Sequence, residues 1–282
     1  MSAALALLSS LLWGTADFLG GTASRRVDAL RVVLVSQAVA LAALVPLVAV
    51  LGPEVSGRTV VIGVVAGLVG PGALLAFYRA LALGTMGVVA PIAALGVVVP
   101  VIAGLIDGEE PSAAQAAGIA IAVVGVVLAS GPELQGAGRG GTRPLLLALG
   151  AALGFGIVFV LLATGSDDAG TAEVVLVLLA MRATSVVVLG GLVLARGGRS
   201  AIAVPRSDLP VLAVIGAFDV GANGTFAVAS QSDLVSVVAV LASLYPAVTA
   251  VLAWRLHRER LRPLQRAGVG AALAGVVLLS AG

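Results

Sequence analysis

Cysteine is absent from this 282-residue chain, which excludes disulfides and thiolate metal sites. Lysine is absent too, so all 16 basic residues are arginine. The single histidine, His257, makes a histidine-based metal centre implausible. Charge of either sign is scarce: 11% of residues are charged, where a soluble domain has roughly a quarter. So few charges cannot build a water-soluble surface. No Walker-type phosphate loop is present, so no direct use of ATP is expected.

What is present is apolar. Hydrophobic residues make up 60% of the chain and the mean hydropathy is +1.16, which reads as an integral membrane protein. The first apolar run does not read as a cleaved signal. Nothing basic precedes it, and Arg25 and Arg26 follow it. The net charge of +2 does not point to nucleic acid, because the arginines lie in short breaks beside apolar runs.

Apolar runs long enough to cross a hydrocarbon core recur with short polar breaks. Ten are expected, over residues 2–22, 28–51, 58–83, 86–106, 112–131, 143–164, 171–195, 208–230, 234–255 and 262–281. Helices are expected over strands, because each helix satisfies its own backbone and a membrane strand would alternate polar and apolar residues. Gly63 with Gly67, Gly104 with Gly108, and Gly150 with Gly154 are G-x-x-x-G pairs suited to close helix packing. Only the stretch 132–142 reads as a linker.

The two halves echo one another. GVVLAS at 125–130 returns as GVVLLS at 275–280, and VVAPIAAL at 88–95 as VVAVLASL at 237–244. Phe77, Ala80 and Glu110 return as Phe226, Ala229 and Glu259; Gly14 is echoed by Gly154 and Arg31 by Arg182. Two copies of a five-helix unit are therefore expected, over 1–131 and 143–282. Five is odd, so the second copy enters the membrane from the opposite side. The expected fold is all-α, with ten transmembrane helices as two inverted five-helix repeats, an architecture of secondary transporters that bind substrate between the halves.

Four stretches carry a resemblance over the whole chain: LLWGTADF, the arginine of ALRVVLVSQ, AFYRALALGTMGVVAPIAAL, and GEEPSAAQAAGIAIAVVGVVLAS with its repeat RERLRPLQRAGVGAALAGVVLLS. The chain resembles the drug/metabolite transporter superfamily, EamA type. That resemblance implies transport of small metabolites or drugs, often as export, across the cytoplasmic (inner) membrane. A neutral polar residue is more usual in the family where Asp17 stands, so the role of Asp17 cannot be carried over.

Connections 1, 5, 7 and 9 hold eleven arginines: Arg25, Arg26, Arg139, Arg143, Arg196, Arg199, Arg206, Arg255, Arg258, Arg260 and Arg262. The even connections hold Arg58 alone, with Glu54, Asp107, Glu109, Glu110, Asp167, Asp168 and Asp233. The positive-inside rule then places both termini outside, whereas the family is usually drawn with both inside.

An ionisable side chain at membrane depth costs at least about 2.5–3.5 kcal/mol on insertion scales, so it is a functional candidate by default. Asp17, well into the first helix, could bind a cationic group or exchange a proton. Asp219 and Asn223 lie one helical turn apart and share a face. Arg79, beside Tyr78, and Arg182 could offset Asp17 or take a substrate carboxylate with a forked guanidinium. Trp13, Thr15, Ser243 and Tyr245 complete the candidate set, with Gln37 read as interhelical glue. Expected partners are a small-molecule substrate and membrane lipid, with a homodimer admitted and nucleic acid not. No cofactor, metal or catalytic residue is expected. A membrane-embedded enzyme or a channel-like binding protein is the alternative, and no carboxylate cluster or nucleophile–base pair supports the enzyme.

Overall fold

A computed structural model describes residues 2–108, 110–130, 142–166, 170–197, 203–231, 234–258 and 262–281. Glu109, Arg139, Asp167, Asp168, Arg199, Asp233, Glu259, Arg260 and most of the expected linker lie outside the described residues. Among the described residues there are twelve helices and no strand. They are α1 (Ser2–Ala23), α2 (Ala29–Leu51), α3 (Gly57–Leu83), α4 (Met86–Ala94), α5 (Val98–Ile106) and α6 (Ala113–Ser130) in the first half. The second half has α7 (Arg143–Ser166), α8 (Thr171–Gly197), α9 (Leu209–Ser230), α10 (Val235–Ala242), α11 (Tyr245–His257) and α12 (Pro263–Ala281).

Local chemistry sets several ends. The Asp28 carboxylate accepts from the Leu30 N–H at 3.0 Å and starts α2, and the Ser56 hydroxyl accepts from the Thr59 N–H at 3.1 Å and starts α3. Gly52 ends α2 in the left-handed region, with φ +57°.

Eight helical stretches among the described residues are long and apolar enough to span a membrane. Two of them are not continuous. The helix expected over 86–106 is broken by a 3-10 turn at Leu95–Val97, and that expected over 234–255 is broken at Ser243 and Leu244. Proline explains both breaks. Pro100 and Pro246 lack the N–H that would bond the carbonyls of Gly96 and Ala242, four residues back.

Helix α1 packs on α9, and α7 packs on α3; α2 packs on α8, and α6 on α12. Exchanging the halves maps this set of neighbours onto itself. The register of the exchange can be read from glycines at close approaches. A side chain on Gly14 would strike the Tyr245 carbonyl and Val248, and one on Gly156 would strike the Gly96 carbonyl and Val99. Likewise Gly67 abuts the Met181 carbonyl and Gly216 abuts the Ser36 carbonyl. So Gly14 corresponds to Gly156, Ser36 to Met181, Gly67 to Gly216, and Gly96 to Tyr245. Phe77 and Phe226 keep the same register as Gly67 and Gly216.

Two expected echoes are corrected by this. The counterpart of Gly14 is Gly156, not Gly154, which packs instead on Ala73 of α3. The counterpart of Arg182 is Gln37, not Arg31. Arg31 lies in the first turn of α2 and donates to the Ala203 carbonyl at 3.1 Å, whereas Arg182 lies in the middle of α8. Sequence echo fails there because the two arginines serve different depths.

One G-x-x-x-G pair forms a complete seam. A methyl group on Gly63 would come within 2.6 Å of the Ala180 Cβ, and one on Gly67 within 2.6 Å of the Thr184 Cβ. Gly150 has open space where a side chain would go, and Gly108 sits at φ +87° in the turn after α5. Gly67→Leu is therefore expected to destabilise the protein by a few kcal/mol through overpacking, while Gly150→Ala is neutral or stabilising by up to about 1 kcal/mol. Unfolding in mixed detergent micelles measures both.

Candidate functional site: a polar cluster on a cavity between the halves

Five pairs of symmetry-related residues line a cavity with about 550 Å³ of empty space, its open mouth included. Trp13 of α1 corresponds to Phe155 of α7, and Asp17 to Phe159. Gln37 of α2 pairs with Arg182 of α8. Gly70 and Leu74 of α3 mirror Asp219 and Asn223 of α9. The backbone is two-fold, and the chemistry is not: in four of the five pairs a polar side chain corresponds to one that is apolar or absent, or a charge to a neutral amide.

The cluster is built on Asp219, which is 8% exposed. Its Oδ2 takes the Arg182 guanidinium at 3.1 Å and the Gln37 Nε2 at 3.0 Å. Its Oδ1 takes the Asn223 Nδ2 at 3.0 Å and the Trp13 indole N–H at 3.3 Å. Asn223 also donates to the Asp219 backbone carbonyl at 2.6 Å, as its position one turn further along α9 allows. Arg182 closes a triangle by donating to the Gln37 Oε1 at 2.6 Å. The Gln37 amide is thereby fixed: its oxygen must face the cation and its nitrogen the carboxylate. With four donors on its two oxygens, the Asp219 carboxylate is saturated.

The other groups on the cavity are not. Asp17 is 5% exposed and makes no hydrogen bond or ion pair among the described residues. It lines the same cavity as Asp219 and Tyr245. Arg182 uses only its Nη1. Its Nε and Nη2 are buried with no hydrogen-bond partner among the described residues, as is the Tyr245 hydroxyl. A buried donor left unpaired costs about 1–3 kcal/mol, so these are the groups of the cavity with most to gain from an acceptor.

Aromatic rings wall the cavity. Trp13 lies 5.2 Å from Phe159 and 5.9 Å from Phe226, and Phe77 makes edge contacts with Phe155 at 5.4 Å and Tyr245 at 6.3 Å.

Of the residues singled out in the sequence, Asp17, Trp13, Arg182, Asp219, Asn223 and Tyr245 meet on this cavity. Tyr78 is fully buried behind it, its ring against Gly20. Thr15 does not reach it, and its hydroxyl donates to the Leu11 carbonyl at 2.8 Å. Ser243 donates to the Val240 carbonyl at 2.8 Å, at the break between α10 and α11. Arg79 is half-buried near the end of α3, away from the cavity lining. Gln37, read as glue, is one corner of the triangle and joins α2 to α8 and α9. Phe159 and Met181 were missed; the signal for Phe159 is that it corresponds to Asp17 once the halves are aligned through Gly14 and Gly156.

No curated protein matches the chain. A solved crystal structure that is 18% identical aligns over 99% of this chain and 98% of its own, with a TM-score of 0.73, which shows the fold alone. The profile of the EamA-like transporter family matches twice, over residues 1–131 and 142–281. The chain belongs to the EamA-like transporter family. As a member of the EamA family it is a multi-pass membrane protein of transporter type with a two-repeat, inverted architecture, and its cavity lies where the two repeats meet.

Removing the hub of this EamA cavity leaves Arg182 buried without its counter-charge. Asp219→Ala is expected to destabilise the fold by about 3 kcal/mol or more, against under 1 kcal/mol for Thr15→Ala, read by unfolding in mixed micelles.

Proposed function

We propose that the protein is a secondary transporter that moves a small organic metabolite or drug across the cytoplasmic membrane by alternating access around this cavity. In this reading the chain crosses the membrane ten times. Helices α6 and α12 supply the fifth and tenth crossings, and residues 1–131 and 143–282 form the two repeats. Transport runs as export. One observation carries the reading: an unpaired carboxylate, Asp17, stands on a cavity between two inverted repeats, beside a second carboxylate that is already fully engaged. Asp219 therefore anchors the helices, and Asp17 is the group left to meet a cationic substrate group or a proton.

One end of the bundle is tied across the halves, as alternating access requires of a closed gate. Arg26 reaches Asp208 at 4.0 Å, Thr22 bonds the His257 ring at 2.9 Å, and that ring packs against Phe18 at 5.1 Å. These contacts join the ends that bear the arginines, which we assign to the cytoplasmic face.

In proteoliposomes, Asp17→Asn is expected to lower substrate flux at least tenfold while leaving the fold intact, because Asp17 supports no contact. A tenfold loss corresponds to about 1.4 kcal/mol of lost stabilisation. Flux that is unchanged in Asp17→Asn would remove Asp17 from the transport cycle.

The absence of cysteine makes orientation directly testable. A cysteine at Val55, which is 73% exposed, is expected to react with an impermeant maleimide in intact cells. One at Ala203 should react only after permeabilisation. The reverse pattern would place both termini in the cytoplasm.

A further inference from the structure

The two-fold relation between the repeats leaves one position conspicuously empty. Asp219 supplies the carboxylate that binds Arg182 and Gln37, and these two residues are each other's counterparts. The exchange of halves maps Asp219 onto Gly70. A second carboxylate placed at the mirror position would therefore meet the same Arg182–Gln37 pair from the other side. The protein puts no side chain there. Gly70 lines the cavity, and the nearest atom to a methyl group built on it is the mobile Met181 Cε at 3.1 Å.

The same guanidinium has an edge to spare. Arg182 Nη1 serves Asp219 and Gln37, while Nε and Nη2 are buried with no partner among the described residues. These two nitrogens form one edge of the planar fork. That edge carries two parallel N–H groups, and a carboxylate accepts both at once. A lysine could not present this edge.

We propose that Arg182 is a substrate-specificity residue, whose free Nε–Nη2 edge, beside Gly70, binds the carboxylate of the transported molecule in the mirror position of Asp219. This deepens the transporter reading and rests on it. The charge balance fixes the rest of the ligand. Arg182 is already matched by Asp219, so a plain anion would bring an uncompensated negative charge onto the cavity. A ligand that brings a carboxylate to Arg182 and an ammonium to Asp17 leaves that balance unchanged. The aromatic and aliphatic walls then take an apolar side group. The substrate class is a small zwitterion with an apolar body.

The test compares four probes of one shape: leucine, leucinamide, isoamylamine and 4-methylpentanoate, each at millimolar concentration. Thermal stabilisation of the purified protein in detergent reads binding, since a ligand of the folded state raises its stability. Leucine is expected to stabilise most, with leucinamide and isoamylamine at least about tenfold weaker in apparent affinity. Gly70→Asp builds the missing carboxylate into the protein; it is expected to raise the melting temperature and to abolish the preference for leucine over isoamylamine. Arg182→Lys keeps the charge that Asp219 needs and removes the edge, and should abolish the same preference. Leucinamide binding as well as leucine, or a leucine preference that survives both substitutions, overturns the proposal. So does the absence of any shift from the zwitterion. Flux of isoamylamine alone would overturn the carboxylate subsite and leave the transporter reading standing, whereas leucine that binds but is never moved would do the reverse.

Discussion

The architecture depends on one buried ion pair. Arg182 and Asp219 sit in the middle of apolar helices, where neither charge would be tolerated alone. Gln37, Asn223 and Trp13 complete the shell, so helices α1, α2, α8 and α9 are held to one another through a single carboxylate. Packing of small residues brings those helices close: Gly216 lets α9 reach the α2 backbone at Ser36, and Gly67 lets α3 reach α8 at Met181. Between α2 and α9, polar specificity and small-residue packing thus act on the same pair of helices. Membrane helices gain little from hydrophobic contact with each other, because lipid is as apolar as leucine, and this pairing of close approach with hydrogen bonding takes its place.

Symmetry supplies the cavity, and departures from symmetry supply its chemistry. The backbone repeats accurately enough that Gly14 and Gly156 make the same contact, each with the opposite half. Yet the counterpart of Asp17 is Phe159, that of Asp219 is Gly70, and that of Arg182 is Gln37. A strictly symmetric cavity would offer two like charges to every ligand. By differing at these positions the two copies have made a cavity whose two sides carry different chemistry.

Much of this was legible in the sequence. Long apolar runs with Gly, Pro and arginine at the breaks located the helices to within a few residues, since a membrane allows few alternatives to a helix. The cost of a buried charge pointed to Asp17, Arg182 and Asp219 before any contact was known. The interruptions at Leu95 and Leu244 were not read, although Pro100 and Pro246 announce a missing backbone donor. The register of the repeat was misread by two residues at Gly14, because glycines are too frequent to align halves by identity. Only the contact partners fixed it. Gln37, read as interhelical glue, does join α2 to α8 and α9, but a neutral amide costs little to bury, so the sequence alone did not show that its partners are the buried ion pair.

The exchange of neighbours between the halves has a consequence for synthesis. Helix α1 rests on α9, and α7 rests on α3, so neither half holds its own partners. When the ribosome has delivered α1 to α6, Asp17, Trp13 and Gln37 are already in the membrane, and the residues they will face do not yet exist. The first half must wait there, its polar groups unmatched, until α8 and α9 arrive with Arg182 and Asp219. A chain that ends before α9 would therefore leave Trp13 and Gln37 of the first half without the Asp219 carboxylate that they bond.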